Sequence, residues 1–162
     1  MLIQQITPTF NKVQIQDLSC INSPYFPLKP FDENVINFSG RLSKRILEDQ
    51  QFGRVPALVA LAYWLRPSNI SRIVKENQYL TQNINIKLSP IGIVFHVCPA
   101  NVDTMFIYSL MVSILMGNKN ILRVSNRLDH EYISFLFNIL NDELATNESK
   151  LFVNYINIFC YG

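Results

Sequence analysis

Apolar residues recur at spacings of three and four from Val35 through Phe38 and Leu42 to Ile46, the pattern of one helical face. Asp32 stands just before them as an N-cap, and Gly53 fits the stop. A second helix is predicted from Pro56, since the first helical position needs no N–H. Its inward face is Leu58, Leu61, Ala62 and Leu65, with Trp64 beside it. Pro67 breaks or kinks that helix, and Ser68 is expected to cap a further helical stretch through Ile73 and Val74.

The period then changes. Ile84 and Ile86 alternate with Asn85 and Lys87, which predicts a half-buried strand. Ile91 to Cys98 is a β-rich apolar run between Pro90 and Pro99 and reads as a strand buried on both faces. Asn101 to Met116 has helical length and is apolar nearly all round, so a buried helix is expected, with Gly117 at its C′ position. Asn120 to Val124 reads as a short strand. Asp129 opens a helix with Ile133, Leu136, Phe137, Leu140 and Leu144 inward, and Leu151 to Cys160 reads as another long strand.

From Ile91 the order is strand, helix, strand, helix, strand: the βαβαβ half of a doubly wound parallel sheet, with a nucleotide expected at the carboxyl ends of its strands. Residues 1–31 carry Pro8, Pro24, Pro27 and Pro30 and read as an extended arm lying over other structure. The fold class is therefore α/β: an arm (1–31), a helical segment (32–78) and a partial Rossmann-like cofactor-binding domain (79–162). The last strand lies so near Gly162 that an open edge and an apolar patch are expected beside it, and with them self-association.

Composition sharpens this picture in three ways. Charged residues make up 16% of the 162, against the ~25% usual for soluble domains, so part of the surface is expected to be covered by another domain or subunit. The net charge of +2 excludes a strongly basic surface and argues against nucleic acid as a partner. Met105 to Met116 is the longest apolar stretch and is too short for a transmembrane segment, which needs ~20 residues. The N-terminus shows no signal-peptide pattern, and Cys20, Cys98 and Cys160 form no CxxC pair. A cytoplasmic protein without a disulfide scaffold or a metal site is expected.

For chemistry, the five glycines make neither G-x-G-x-x-G nor a P-loop, which disfavours an ordinary Rossmann dehydrogenase. At the strand-to-helix turn stands His96-Val97-Cys98-Pro99-Ala100-Asn101-Val102. Pro99 ends the strand, and the Asn101 amide at the mouth of the helix can donate to an anion or a carbonyl oxygen, helped by free backbone N–H groups. Arg123 and Ser125 place a cation and a hydroxyl at the same edge, so an anionic, nucleotide-like ligand is expected there. Cys98 reads as a small buried apolar residue and His96 as a satisfied core histidine. Asp142 and Glu143 read as the polar side of a helix rather than as paired catalytic carboxylates.

The stretch SPIGIVFHVCPANVDTMFIYSLMVSILMGNKNILRVSNR resembles the segment of LuxC-type acyl-CoA reductases that runs P-x-G-x-x-x-H-x-x-P-x-N-V, a helix, then G-N-x-N-x-x-R-x-S. It is similar, more distantly, to the corresponding segment of the aldehyde dehydrogenase superfamily, and ALVALAYWLRPSNISRI resembles the family's Ala-rich WLR helix. The resemblance implies NADPH-dependent reduction of a fatty acyl-CoA, or acyl thioester, to the aldehyde through a cysteine thioester. It implies Asn101 as oxyanion donor, Pro99, Ala100, Asn101, Arg123 and Ser125 as cofactor contacts, and Gly117 and Asn118 as the turn into the second strand. Asp103 departs from the family's usual proline. The nucleophilic cysteine is expected in a second domain beyond Gly162, so this chain alone is expected to be inactive. An acyl-CoA or acyl thioester is expected as substrate, and a homo-oligomer or an acyl-transferring protein as partner. The alternative is a truncated, non-catalytic relative that binds nucleotide or a partner, or a purely structural partner covering another subunit.

Overall fold

The computed structural model describes residues 2–8, 10–14, 23–98, 104–125 and 131–160. The described residues form a mixed α/β structure around one sheet. Strand β1 (Leu2–Thr7) and β2 (Asn11–Gln14) come first. Helices α1 (Glu33–Glu48), α2 (Pro56–Leu65), α3 (Pro67–Glu76) and α4 (Gln78–Gln82) follow. Then β3 (Ile93–Val97), α5 (Met105–Leu115), β4 (Lys119–Val124), α6 (Glu131–Leu144), a 3₁₀ turn (Lys150–Asn154) and β5 (Ile156–Cys160) alternate. The sheet order is β2-β1-β5-β4-β3. Strands β3, β4 and β5 are parallel, whereas β1 runs antiparallel to β5 and to β2.

The helical segment follows its pattern closely. The Asp32 carboxylate accepts from the Asn34 N–H at 2.9 Å and caps α1, whose Val35, Phe38, Leu42 and Ile46 are buried. Leu58, Leu61, Ala62 and Leu65 of α2 are fully buried against it. The Ser39 and Ser43 hydroxyls donate to the Leu65 and Ala62 carbonyls, so two buried serines tie the helices where a carbonyl would otherwise be left unmet. Helix α1 ends at Glu48, and Gly53 closes the loop behind it by donating to the Asp49 carbonyl. Pro67 is the first residue of α3, so Arg66 and not Ser68 holds the cap position.

Several expectations fail, each for a local reason. The arm supplies two strands: Ile3 and Ile6 are buried on opposite faces of the sheet, and β1 occupies the edge of β5. Among the described residues the edges of the sheet are therefore β2 and β3, not the last strand. Residues 23–31 do lie over other structure. Leu28 N–H donates to Gly117 O, Phe31 N–H to Leu115 O, and the Tyr155 hydroxyl to Phe26 O. Ile84 and Ile86 form no strand, because Asn83 takes the Asn85 N–H on its side chain and the Ile86 N–H on its carbonyl, closing a turn that leaves Ile84 in solvent. Leu151 to Asn154 is 3₁₀ rather than strand: Phe152 drops into the core against Phe38, and pairing begins only at Ile156. Strand β3 is not buried on both faces. Ile93, Phe95 and Val97 are 47%, 58% and 66% exposed and form an apolar stripe along the open edge. Helix α5 is open on one flank, at Met105 and Val112.

Gly117 is at the C′ position with φ +85°, as expected, and a Cβ there would stand 2.1 Å from the Leu28 carbonyl oxygen. Asn118 beside it accepts from the Ile91 and Gly92 N–H groups and donates to Ser113 O. One amide thus fixes the end of α5 to the start of β3. Glu143 is 1% exposed rather than solvated, held by Arg41 and Arg45 of α1 and by Ser149.

Candidate functional site

The three parallel strands deliver their carboxyl ends to one rim. Cys98 follows β3, Arg123 and Val124 end β4 with Ser125 just beyond, and Cys160 ends β5. In register, Val97, Arg123 and Phe159 lie side by side, as do Val124 and Cys160. The Cys98 N–H donates to the Arg123 carbonyl at 3.0 Å, which extends the ladder one residue past β3. Arg123 and Ser125 thus come together at the rim, as the sequence predicts. Pro99, Ala100, Asn101 and Asp103 lie outside the described residues, as do Asp129 and His130. The connection that carries the first four leaves from Cys98 at that same rim and returns at Thr104.

Burial and, against it, Arg123 set the electrostatics of the rim. Burial pushes the Cys98 and Cys160 thiols up, and the Arg123 guanidinium draws both partly back. Each thiol keeps a net rise and is protonated at neutral pH, so neither is an activated nucleophile. Cys98 is 6% exposed, which agrees with its expected role as a small buried residue. A half-buried guanidinium and a hydroxyl at the carboxyl rim of parallel strands are a donor set that could hold an anionic or hydroxyl-bearing ligand.

A second constellation lies on the α5 side of β3. His96 is half-buried, with Nδ1 2.7 Å from Ser109 Oγ and Nε2 3.0 Å from Asn120 Oδ1. Its expected role as a core histidine is right about satisfaction and wrong about access, because His96 and Ser109 line an open groove of about 560 Å³ between β3 and α5. The two serines that interrupt the apolar run of α5 were the visible sign of it. Ser109 and Ser113 are one helical turn apart and share a face.

Among the described residues no group of His, Cys, Asp and Glu could hold a metal, and no helix is long and apolar enough to cross a membrane. The sequence profile of the acyl-CoA reductase (LuxC) family matches residues 38–155. Comparison with curated proteins gave no match.

Proposed function

The chain belongs to the acyl-CoA reductase (LuxC) family, and on that premise we propose that it is the cofactor-binding part of an NADPH-dependent enzyme reducing an acyl-CoA to the aldehyde. The observation that carries this reading is the meeting of Arg123 and Ser125 at the carboxyl rim of β3, β4 and β5, where the connection bearing Pro99, Ala100 and Asn101 also departs. The succession β3-α5-β4-α6-β5 with parallel strands supports an aldehyde dehydrogenase-like Rossmann arrangement.

When bound, NADPH supplies the hydride that reduces the thioester. The chain's own residues bind and orient. Arg123 gives a fixed cation to a ribose or its phosphate, a contact that needs no proton transfer. Ser125 offers a hydroxyl beside it. Asn101 donates its amide N–H to the thioester oxygen, where charge develops as the carbonyl is attacked. The thiols of Cys98 and Cys160, held protonated by burial, are poor candidates for the acyl-accepting cysteine, which the family reading places in a second domain. On that reading no reductase turnover is expected through either of these thiols.

Titration of the whole chain with NADPH, followed by the cofactor's fluorescence, tests the reading. Saturable binding is expected, with no aldehyde formed from long-chain acyl-CoA. Absence of saturable binding up to millimolar NADPH would overturn it.

A further inference from the structure

The groove between β3 and α5 holds more than apolar surface. Asn120 is wholly buried, and its Nδ2 donates to Asn118 O at 2.9 Å and to Tyr155 O at 3.4 Å. Its Oδ1 is thereby the atom that faces His96 Nε2. An amide oxygen can only accept, so Nε2 donates to it, and in the neutral form of the ring Nδ1 is left as the acceptor. In that form Nδ1 accepts a hydrogen bond from the Ser109 hydroxyl, 2.7 Å away. Hydroxyl, imidazole base and an amide that holds the tautomer stand in the order that nucleophilic acyl transfer requires. One turn along α5, Ser113 also lines the groove, but its hydroxyl oxygen is buried beneath the surface and has no hydrogen-bond partner.

We propose that Ser109 is an acyl-accepting nucleophile, with His96 as its base, for activated esters and thioesters of apolar acyl chains. The acyl chain lies in the groove along Ile91, Val94, Met105 and Val112. Ser109 Oγ attacks the carbonyl carbon while its proton passes to His96 Nδ1. The carbon–sulfur or carbon–oxygen bond then breaks, and His96 returns the proton to the leaving thiolate or alkoxide. An ester on Ser109 remains, and water releases it slowly, with His96 as base again. Asn120 is a positioning residue: it fixes which nitrogen is left as the acceptor. An amide stabilises the imidazolium less than a carboxylate does, which slows both steps; the good leaving group of an activated ester or thioester favours the first, so a single acylation followed by slower hydrolysis is expected. The choice of thioesters rests on the family reading; the nucleophile itself rests on the geometry.

The test is acylation of the full chain by p-nitrophenyl octanoate and by octanoyl-CoA, without NADPH, followed by nitrophenol or thiol release and by mass spectrometry of the α5 peptide. One octanoyl group on Ser109 is expected from each donor. Ser109→Ala should lose it, Ser109→Cys should give a thioester at the same position, and His96→Gln should slow acylation by about a hundredfold. The ¹⁵N spectrum of His96 should show the Nε2–H tautomer. Acylation elsewhere, equal acylation of Ser109→Ala, or the Nδ1–H tautomer would overturn the assignment. Acylation by the nitrophenyl ester alone would overturn the thioester class. NADPH binding without acylation sinks the serine site and leaves the cofactor reading; acylation without NADPH binding does the reverse.

Discussion

Arg41 Nε and Glu143 Oε1 meet at 2.5 Å, joining α1 to α6 through a carboxylate that is 1% exposed. Arg45 takes the other oxygen at 2.7 Å, and the Ser149 hydroxyl also donates to Oε1. Burial alone would raise the Glu143 carboxyl. The hydrogen bonds from Ser149, Arg41 and Arg45, and then the charge of Arg41, outweigh it and hold the group below the ordinary carboxylate range.

The sign of the pH effect follows. A depressed folded-state pKa contributes stability that is fully present above the unfolded value of about 4.3 and is lost as pH falls through the lower folded value. Glu143→Gln should cost about 2–3 kcal/mol at neutral pH, less than for a wholly buried pair because both arginines are about one-third exposed and can hydrate. Urea unfolding from pH 7 down to pH 3 should show the parent losing its advantage over the mutant at the acid end. A constant difference across that range would remove the carboxylate from the stability account.

Gly117→Ala forces a side chain into a left-handed backbone and against the Leu28 carbonyl at once. A loss of about 2–4 kcal/mol is expected, from conformational strain and the displaced arm. Thermal unfolding measures it, and a loss below about 0.5 kcal/mol would mean that residues 23–31 do not bear on the turn.

The apolar stripe of Ile93, Phe95 and Val97 stands on an unpaired edge. Light scattering with size exclusion should show association that grows with concentration, and a hydrophobic dye should bind. Phe95→Lys should weaken both. A monodisperse monomer that binds no dye would contradict the account of that edge.

What could be read from the sequence depended on whether one element's neighbours were local. Helices α1 and α2 bury each other across a short loop, so the spacing from Val35 to Ile46 and from Leu58 to Leu65 showed their faces directly. Strand β1 was hidden because Ile3 and Ile6 serve opposite faces, and its partner β5 lies at the other end of the chain. The alternation at Ile84 and Ile86 misled because Asn83 closes a turn that apolar spacing does not record. Arg123 and Ser125 were legible as a pair, since strand direction alone takes them to the carboxyl rim. The contact of His96 with Ser109 and Asn120 was not, because it depends on the register of β3 against β4 and on the phase of α5.

The central claim is that the carboxyl rim binds the cofactor through Arg123. Calorimetric titration of NADPH into the parent chain and into Arg123→Ala tests it most directly. A charge-assisted hydrogen bond of roughly 1.5–3 kcal/mol predicts about ten- to a hundredfold weaker binding by the mutant. Equal affinity in the two proteins, with both correctly folded, would contradict it.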